Sequence, residues 1–184
     1  TFKSAKQMNI GAPTVNRYLD YFIDAFLLYK SGRYDVKGRK YIGSPLKYYF
    51  SDVGLRNARL NFRQQEENHI MENIIYNELC GRDFSVDVGV VEYCYKDAEK
   101  KSKRTQLEIG FVANKGSKKY YIQSTLTVAD EEKREQEIRS LKRVGDSFKK
   151  IVVVKDNIIP WHDDDGILYI GIEQFLLDEN AVDM

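Results

Sequence analysis

Apolar positions in the first third of the chain follow two different periods. Val15, Tyr18, Leu19, Phe22, Ile23 and Phe26 recur at i, i+3, i+4 spacing, which predicts a helix with one apolar stripe. Gly11, Ala12 and Pro13 stand at its start, where proline is tolerated because the first helical N–H has no partner. A helix-like pattern already runs through the residues before it. Leu27-Leu28-Tyr29 leads into Gly32, and the stretch from Arg33 to Tyr41 reads as two short strands around a Lys-Gly turn. Lys47-Tyr48-Tyr49-Phe50 follows as a return strand. Helix, helix, strand, basic turn, strand, helix is the layout of a winged helix.

After a connector over 60–65 the pattern changes. A helix is predicted over 67–80, with Ile70, Ile74, Ile75 and Leu79 on its apolar face and Glu72 and Glu78 away from the centre. Strands are predicted over 86–88, 90–95, 106–113 and 119–123. A hydrophilic turn over 96–104 and an Asn/Gly/Ser hairpin over 114–118 separate them. A charged helix over 130–144 carries Ile138, Leu141 and Val144, with Glu131 and Glu132 at its start and Lys142 and Arg143 at its end, as the helix dipole favours. Ile151–Val154 and Ile167–Ile170 are unbroken apolar runs, the pattern of strands covered on both faces. A short helix over 172–177 closes the chain. The expected fold class is α/β (α+β): a winged helix-turn-helix over 1–62, then a mixed sheet with packed helices over 63–184.

Composition adds limits. Hydrophobic residues are 42% and charged residues 31%, with 13 Tyr and 9 Phe, enough for a core with half-buried phenols. Lys and Arg number 29 against 28 Asp and Glu, so any polyanion surface must come from local clustering. Cys80 and Cys94 are too few for a disulfide framework and read as reduced, partly buried thiols of a cytoplasmic protein. No signal peptide opens the chain, and no apolar run approaches a membrane span, so no membrane partner is expected. The chain starts at Thr1 within a helix-like pattern and is expected to be part of something longer.

The chemistry is concentrated in Glu108-Ile109-Gly110-Phe111-Val112-Ala113 and Tyr121-Ile122-Gln123-Ser124-Thr125. In the PD-(D/E)XK nuclease fold, one strand ends in an acid and its neighbour carries acid-x-Lys. The carboxylates hold Mg²⁺, the lysine orients water, and an acid from the preceding helix often completes the set. Here Glu72 supplies a helix acid, but Gly110 stands at the first strand acid and Gln123-x-Thr125 replaces acid-x-Lys. Glu72, Glu108, Gly110, Gln123 and Thr125 are thus the positions of a degenerate site. Alternation puts Glu108 on the same strand face as Gly110 but roughly 6–7 Å away, which argues against direct replacement. Glu72 and Glu108 also read as ordinary salt-bridged or solvated residues, and Gln123 as an amide stitching strand ends. His69 and His162 lack partner spacing. Asp163-Asp164-Asp165-Gly166 reads as an acidic turn, since no ligating Glu follows at calcium-loop distance.

The stretches Tyr18-Leu19-Asp20-Tyr21, Ala25-Phe26-Leu27-Leu28-Tyr29, Asp52-Val53-Gly54-Leu55-Arg56-Asn57, Glu72–Leu79 and Glu108-Ile109-x-Phe111-Val112-Ala113 resemble a prokaryotic family. It is the domain of unknown function at the C-terminus of AAA-type ATP-binding proteins. The resemblance covers nearly the whole chain. It implies an upstream P-loop ATPase domain as partner, which would bind the ATP, followed by a winged helix and a restriction-endonuclease-like α/β/α tail. Members usually carry Asp where this chain has Gly110. No G-x-x-x-x-G-K-[ST] occurs here, so no cofactor is expected on these residues, and Mg²⁺ only if a nuclease works with rearranged acids around Glu72 and Glu108.

In the winged-helix reading, Asn16 and Arg17 would face a groove of DNA while Arg33, Lys37, Arg39 and Lys40 touch phosphate. Asp20, Asp24 and Asp35 dilute that patch, and interleaved tyrosines equally suit a protein interface. A recognition or regulatory module binding DNA or a protein, a rearranged nuclease, and a docking or oligomerisation domain all stay open.

Overall fold

The computed structural model describes residues 11–63, 66–96 and 101–184. The helix expected before residue 11, the middle of the 96–104 turn and the end of the 60–65 connector lie outside them. The described elements are α1 (Ala12–Asp24), β1 (Leu28–Asp35), β2 (Lys40–Phe50), α2 (Val53–Arg59), α3 (Glu67–Gly81), β3 (Ser85–Lys96) and β4 (Ser102–Lys115). They continue with β5 (Lys118–Thr125), α4 (Glu131–Lys142), β6 (Lys149–Val154), β7 (Trp161–His162), β8 (Leu168–Gly171), α5 (Ile172–Leu177) and a 3-10 turn, Ala181–Asp183.

The strands form one eight-stranded mixed sheet in the order β2-β1-β3-β4-β5-β6-β8-β7. Helices cover both faces. On one, Met71, Ile75, Tyr76 and Leu79 of α3 and Phe175 of α5 pack on Phe111, Ile122, Val153 and Ile170. On the other, Ile138 and Leu141 of α4 pack on Ile109, Val112, Val152 and Tyr169. β6 and β8 lie between these layers, which is why Ile151–Val154 and Leu168–Ile170 show no alternation. Asp130 caps α4 by accepting from the backbone N–H groups of Glu132 and Lys133, and the acidic first turn completes that start.

The N-terminal hairpin is not a free-standing wing. β1 pairs antiparallel with β2 but also parallel with β3, Arg33 opposite Val88 and Asp35 opposite Val90. One sheet therefore spans both sides of the expected boundary at residues 62 and 63. Pairing of β1 with β2 jumps from Ser31↔Lys47 to Arg33↔Ile42, so 43–46 bulge out of the ladder. Pro45 sits in that bulge, where its missing N–H breaks no ladder bond. The bulge explains why Lys47–Phe50 reads as a separate strand: it is the far half of β2.

One apolar face lies open, and one expectation about burial, that for Cys94, is corrected. The stripe on α1 is largely solvent-facing among the described residues. Only Val15 is buried, while Tyr18, Phe22 and Phe26 are 56%, 45% and 76% exposed. Cys94 is exposed, with Cys80 half-buried. Asp163 does form a turn, accepting from the N–H groups of Asp165 and Ile167.

Candidate functional site: an ion cluster in the sheet cleft

β4 carries a bulge where the site lies. Its pairing with β3 passes from Asp87↔Val112 to Gly89↔Ile109, so β4 holds one extra residue there. Ile109 and Val112 consequently face the same core, under α4, while Phe111 faces α3. Simple alternation fails at Gly110, and Glu108 and Gly110 both line the cleft described next. Glycine suits the opposite strand for a steric reason: a Cβ on Gly89 would lie 2.8 Å from Val112 and 2.9 Å from Ile109.

A cleft of about 480 Å³ opens beside this bulge. Glu72, Glu108, Gly110, Gln123 and Thr125 all line it, brought from α3, β4 and β5 to one place. Lys47 of β2 lines it too, a residue the sequence reading missed. Tyr49, two positions on, is 3% exposed and stacks on Tyr76 of α3, with ring centroids 3.9 Å apart. Period-two alternation places Lys47 on that same side, pointing toward α3. That was the available signal; the bulge at 43–46 masked it.

The Lys47 ammonium donates to Glu72 Oε1 and, at 3.0 Å, to Glu108 Oε1. Arg33 donates from Nη2 to the other Glu108 oxygen and from Nε to the Pro45 carbonyl at 2.9 Å. Tyr49 Oη donates to Glu72 at 3.4 Å. Two cations thus face two carboxylates, and the cluster is neutral. Side-chain exposures of 29% for Lys47, 15% for Glu72, 20% for Arg33 and 38% for Glu108 make it partly buried, so attraction here exceeds that of a surface pair. Burial alone would lower the Lys47 pKa, but Glu72 and Glu108 outweigh it and hold the ammonium above its ordinary value. Burial alone would raise Glu108, yet Lys47 and Arg33 hold it below the ordinary carboxylate value. Burial first, then the two nearby carboxylates, push the Tyr49 phenol far up, so it remains a donor.

Beyond the cluster the cleft is lined mainly by uncharged side chains, with Lys133 and Glu137 of α4 at its edge. Gln123 Oε1 accepts from the Gly110 N–H at 2.8 Å while its amide nitrogen reaches Glu137 of α4 at 3.3 Å. It joins β5 to the β4 backbone, as the strand-stitching reading expects, and also reaches α4. Thr125 Oγ1 donates to the Thr127 carbonyl. A Cβ on Gly110 would meet Ile122 O at 3.3 Å and Gln123 Oε1 at 3.4 Å, so a side chain there would press on this contact.

These residues fit a Mg²⁺ site poorly as they stand. Glu72 and Glu108 do converge on one point, but the Lys47 nitrogen occupies it, and Gly110 offers no side-chain ligand. Among the described residues no group of three or more His, Cys, Asp or Glu side chains is placed to hold a metal ion.

Of the expected DNA-contact residues, the structure turns one away from solvent. Arg33 is turned into the cluster. Asn16 and Arg17 are exposed on α1, whereas Lys37, Arg39 and Lys40 are exposed at the β1–β2 turn.

Residues 3–66 match the model of a domain of unknown function (DUF8612). An uncharacterized protein of Haemophilus influenzae is 30% identical over 164 residues, 89% of this chain. The chain spans 37% of that relative's length. No solved structure matches. Among the described residues no helix is long and apolar enough to cross a membrane.

Proposed function

We propose that this chain is a non-catalytic recognition or regulatory module, with a nuclease-like cleft in which a lysine stands where a divalent cation would. The observation that carries this reading is the Lys47 ammonium between Glu72 and Glu108. A divalent ion would have to displace a tethered cation already bonded to both acids. Gly110 removes a further ligand, and Gln123 can neither ligate as an anion nor act as a general base. The motif resemblance supports placing this module behind an AAA-type ATP-binding domain, as a winged helix joined to a restriction-endonuclease-like domain. DNA or a protein would be the ligand.

Plasmid nicking with Mg²⁺ or Mn²⁺ tests this. The expected result is no metal-dependent cutting above that of a Glu72→Ala, Glu108→Ala preparation. Cutting that those substitutions abolish would overturn the proposal. It would favour the second reading, a rearranged nuclease, whose support is the convergence of the same two carboxylates.

A further inference from the structure

A second set of cations, on the α4 side of the sheet, lacks the carboxylate partners that neutralise the first. Lys37 at the β1–β2 turn and Arg139 and Arg143 of the α4 end are exposed and have no carboxylate partner among the described residues. Two open hollows, about 580 and 670 Å³, adjoin there, and Lys37 and Arg143 line both. Together they make one groove, running from α4 past the hairpin turn to Tyr93 and Arg104 on β3 and β4. Its acids are already engaged: Glu135 accepts from Lys142 at 3.0 Å, Glu92 lies 3.9 Å from Arg104, and Asp35 Oδ1 accepts from the Gly38 N–H.

Tyr93 organises the free cations. The guanidinium of Arg143 lies 4.2 Å from the Tyr93 ring centroid and that of Arg139 lies 5.0 Å away, and Arg139 also donates to the phenol oxygen. Two planar, like-charged groups four residues apart thus meet one ring, and neither has a carboxylate partner among the described residues. Their repulsion falls when a polyanion enters. Tyr95, 43% exposed, has its ring centroid 5.9 Å from that of Tyr93 and offers an open aromatic face beside the charges. Guanidinium forks match phosphate oxygens, and an adjacent free ring suits a base.

We infer that this groove binds the phosphodiester backbone of a nucleic acid, with Lys37, Arg139 and Arg143 on phosphates and Tyr95 against a base. The inference rests on the recognition reading above and names its ligand. Asn16 and Arg17 are not among its lining residues.

Fluorescence anisotropy of the full chain with labelled single-stranded and duplex DNA tests it. Three phosphate contacts give a slope of log K against log salt of about −2.7 for duplex and about −2.1 for single strands. Binding should then fall roughly 20- to 40-fold between about 50 and 200 mM salt. The double variant Lys37→Ala, Arg143→Ala should reduce the slope by about two, roughly one per cation removed. Arg17→Ala should leave it unchanged. Tyr95→Ala should weaken single-strand binding by about fivefold or more and spare duplex. All these side chains are exposed, and thermal melts of each variant confirm folding. Three results would overturn the inference: no salt-dependent binding, loss with Arg17→Ala but not with the groove pair, or equally tight, equally groove-dependent binding of polyglutamate. A chain that neither cuts nor binds sinks this inference alone, whereas one that cuts through Glu72 and Glu108 sinks the non-catalytic reading.

Discussion

Lys47→Met is expected to lose roughly 2–4 kcal/mol of stability, somewhat below the 3–5 kcal/mol typical when one partner of a fully buried ion pair is removed. The discount follows from exposure, since water reaches the 38% exposed Glu108 side chain. Methionine keeps most of the lysine's length, so the loss comes from charge. Among the described residues Glu72 then keeps only the Tyr49 phenol and Glu108 keeps Arg33, while the carboxylates face one another without the shared ammonium. Chemical denaturation measures the loss, and for a chain of this size the melting temperature should drop by about 5–15 °C. Adding Glu72→Gln should recover roughly half of the deficit, because it removes the repulsion.

The pH dependence carries a definite sign. Glu108 has a lowered pKa in the fold, so its contribution is present above the ordinary value of 4.5 and lost as pH falls through the lowered folded value. Lys47 has a raised pKa, so its contribution is present below 10.5 and lost as pH climbs through the raised folded value. In Lys47→Met the surplus negative charge penalises folding at neutral pH, and acid relieves it. The gap between wild type and variant should therefore shrink toward the carboxylate range. A gap independent of pH would mean that packing, not charge, was lost.

Asn73→Leu is expected to cost about 2–3 kcal/mol through a different mechanism. Asn73 is 5% exposed, and its amide accepts the Phe50 N–H at 2.8 Å and donates to the Phe50 carbonyl at 2.7 Å. It acts as a short extra strand at the end of β2. Asn77 also donates to that carbonyl, at 3.0 Å, so the main cost is one stranded N–H, about 1–3 kcal/mol, plus the lost bond to oxygen. The consequence reaches the cleft, since this contact fixes β2, which carries Lys47, against α3, which carries Glu72. Hydrogen exchange should show the Phe50 amide opening faster in Asn73→Leu while amides of β6 stay protected. Equal acceleration in both would indicate global destabilisation without a local latch.

The elements with strong local periods were legible. α4 and the doubly covered β6 and β8 follow from spacing alone, because their apolar positions repeat within a few residues. By contrast, α3 forms where expected but buries Met71, Ile75, Tyr76 and Leu79 and leaves Ile70 and Ile74 only half-buried. The five cleft positions were also legible, because motif order along the chain marks them. What escaped depends on pairing between distant segments. No local pattern encodes the parallel join of β1 to β3, nor the bulge in β4 that puts both Ile109 and Val112 under α4. Arg33 shows the same limit. It reads as one more cation of a basic hairpin, yet the register of β1 turns it inward onto Glu108. The apolar stripe of α1 was visible, but whether anything covers it is not a property of its own spacing.

The claim on which this account depends is that the meeting point of Glu72 and Glu108 belongs to the Lys47 ammonium. Calorimetric titration with Mn²⁺ at neutral pH addresses it directly, comparing wild type with Glu72→Ala, Glu108→Ala. The two isotherms should coincide, showing only weak surface binding. A saturable one-to-one site in the wild type that disappears in the variant would contradict the account.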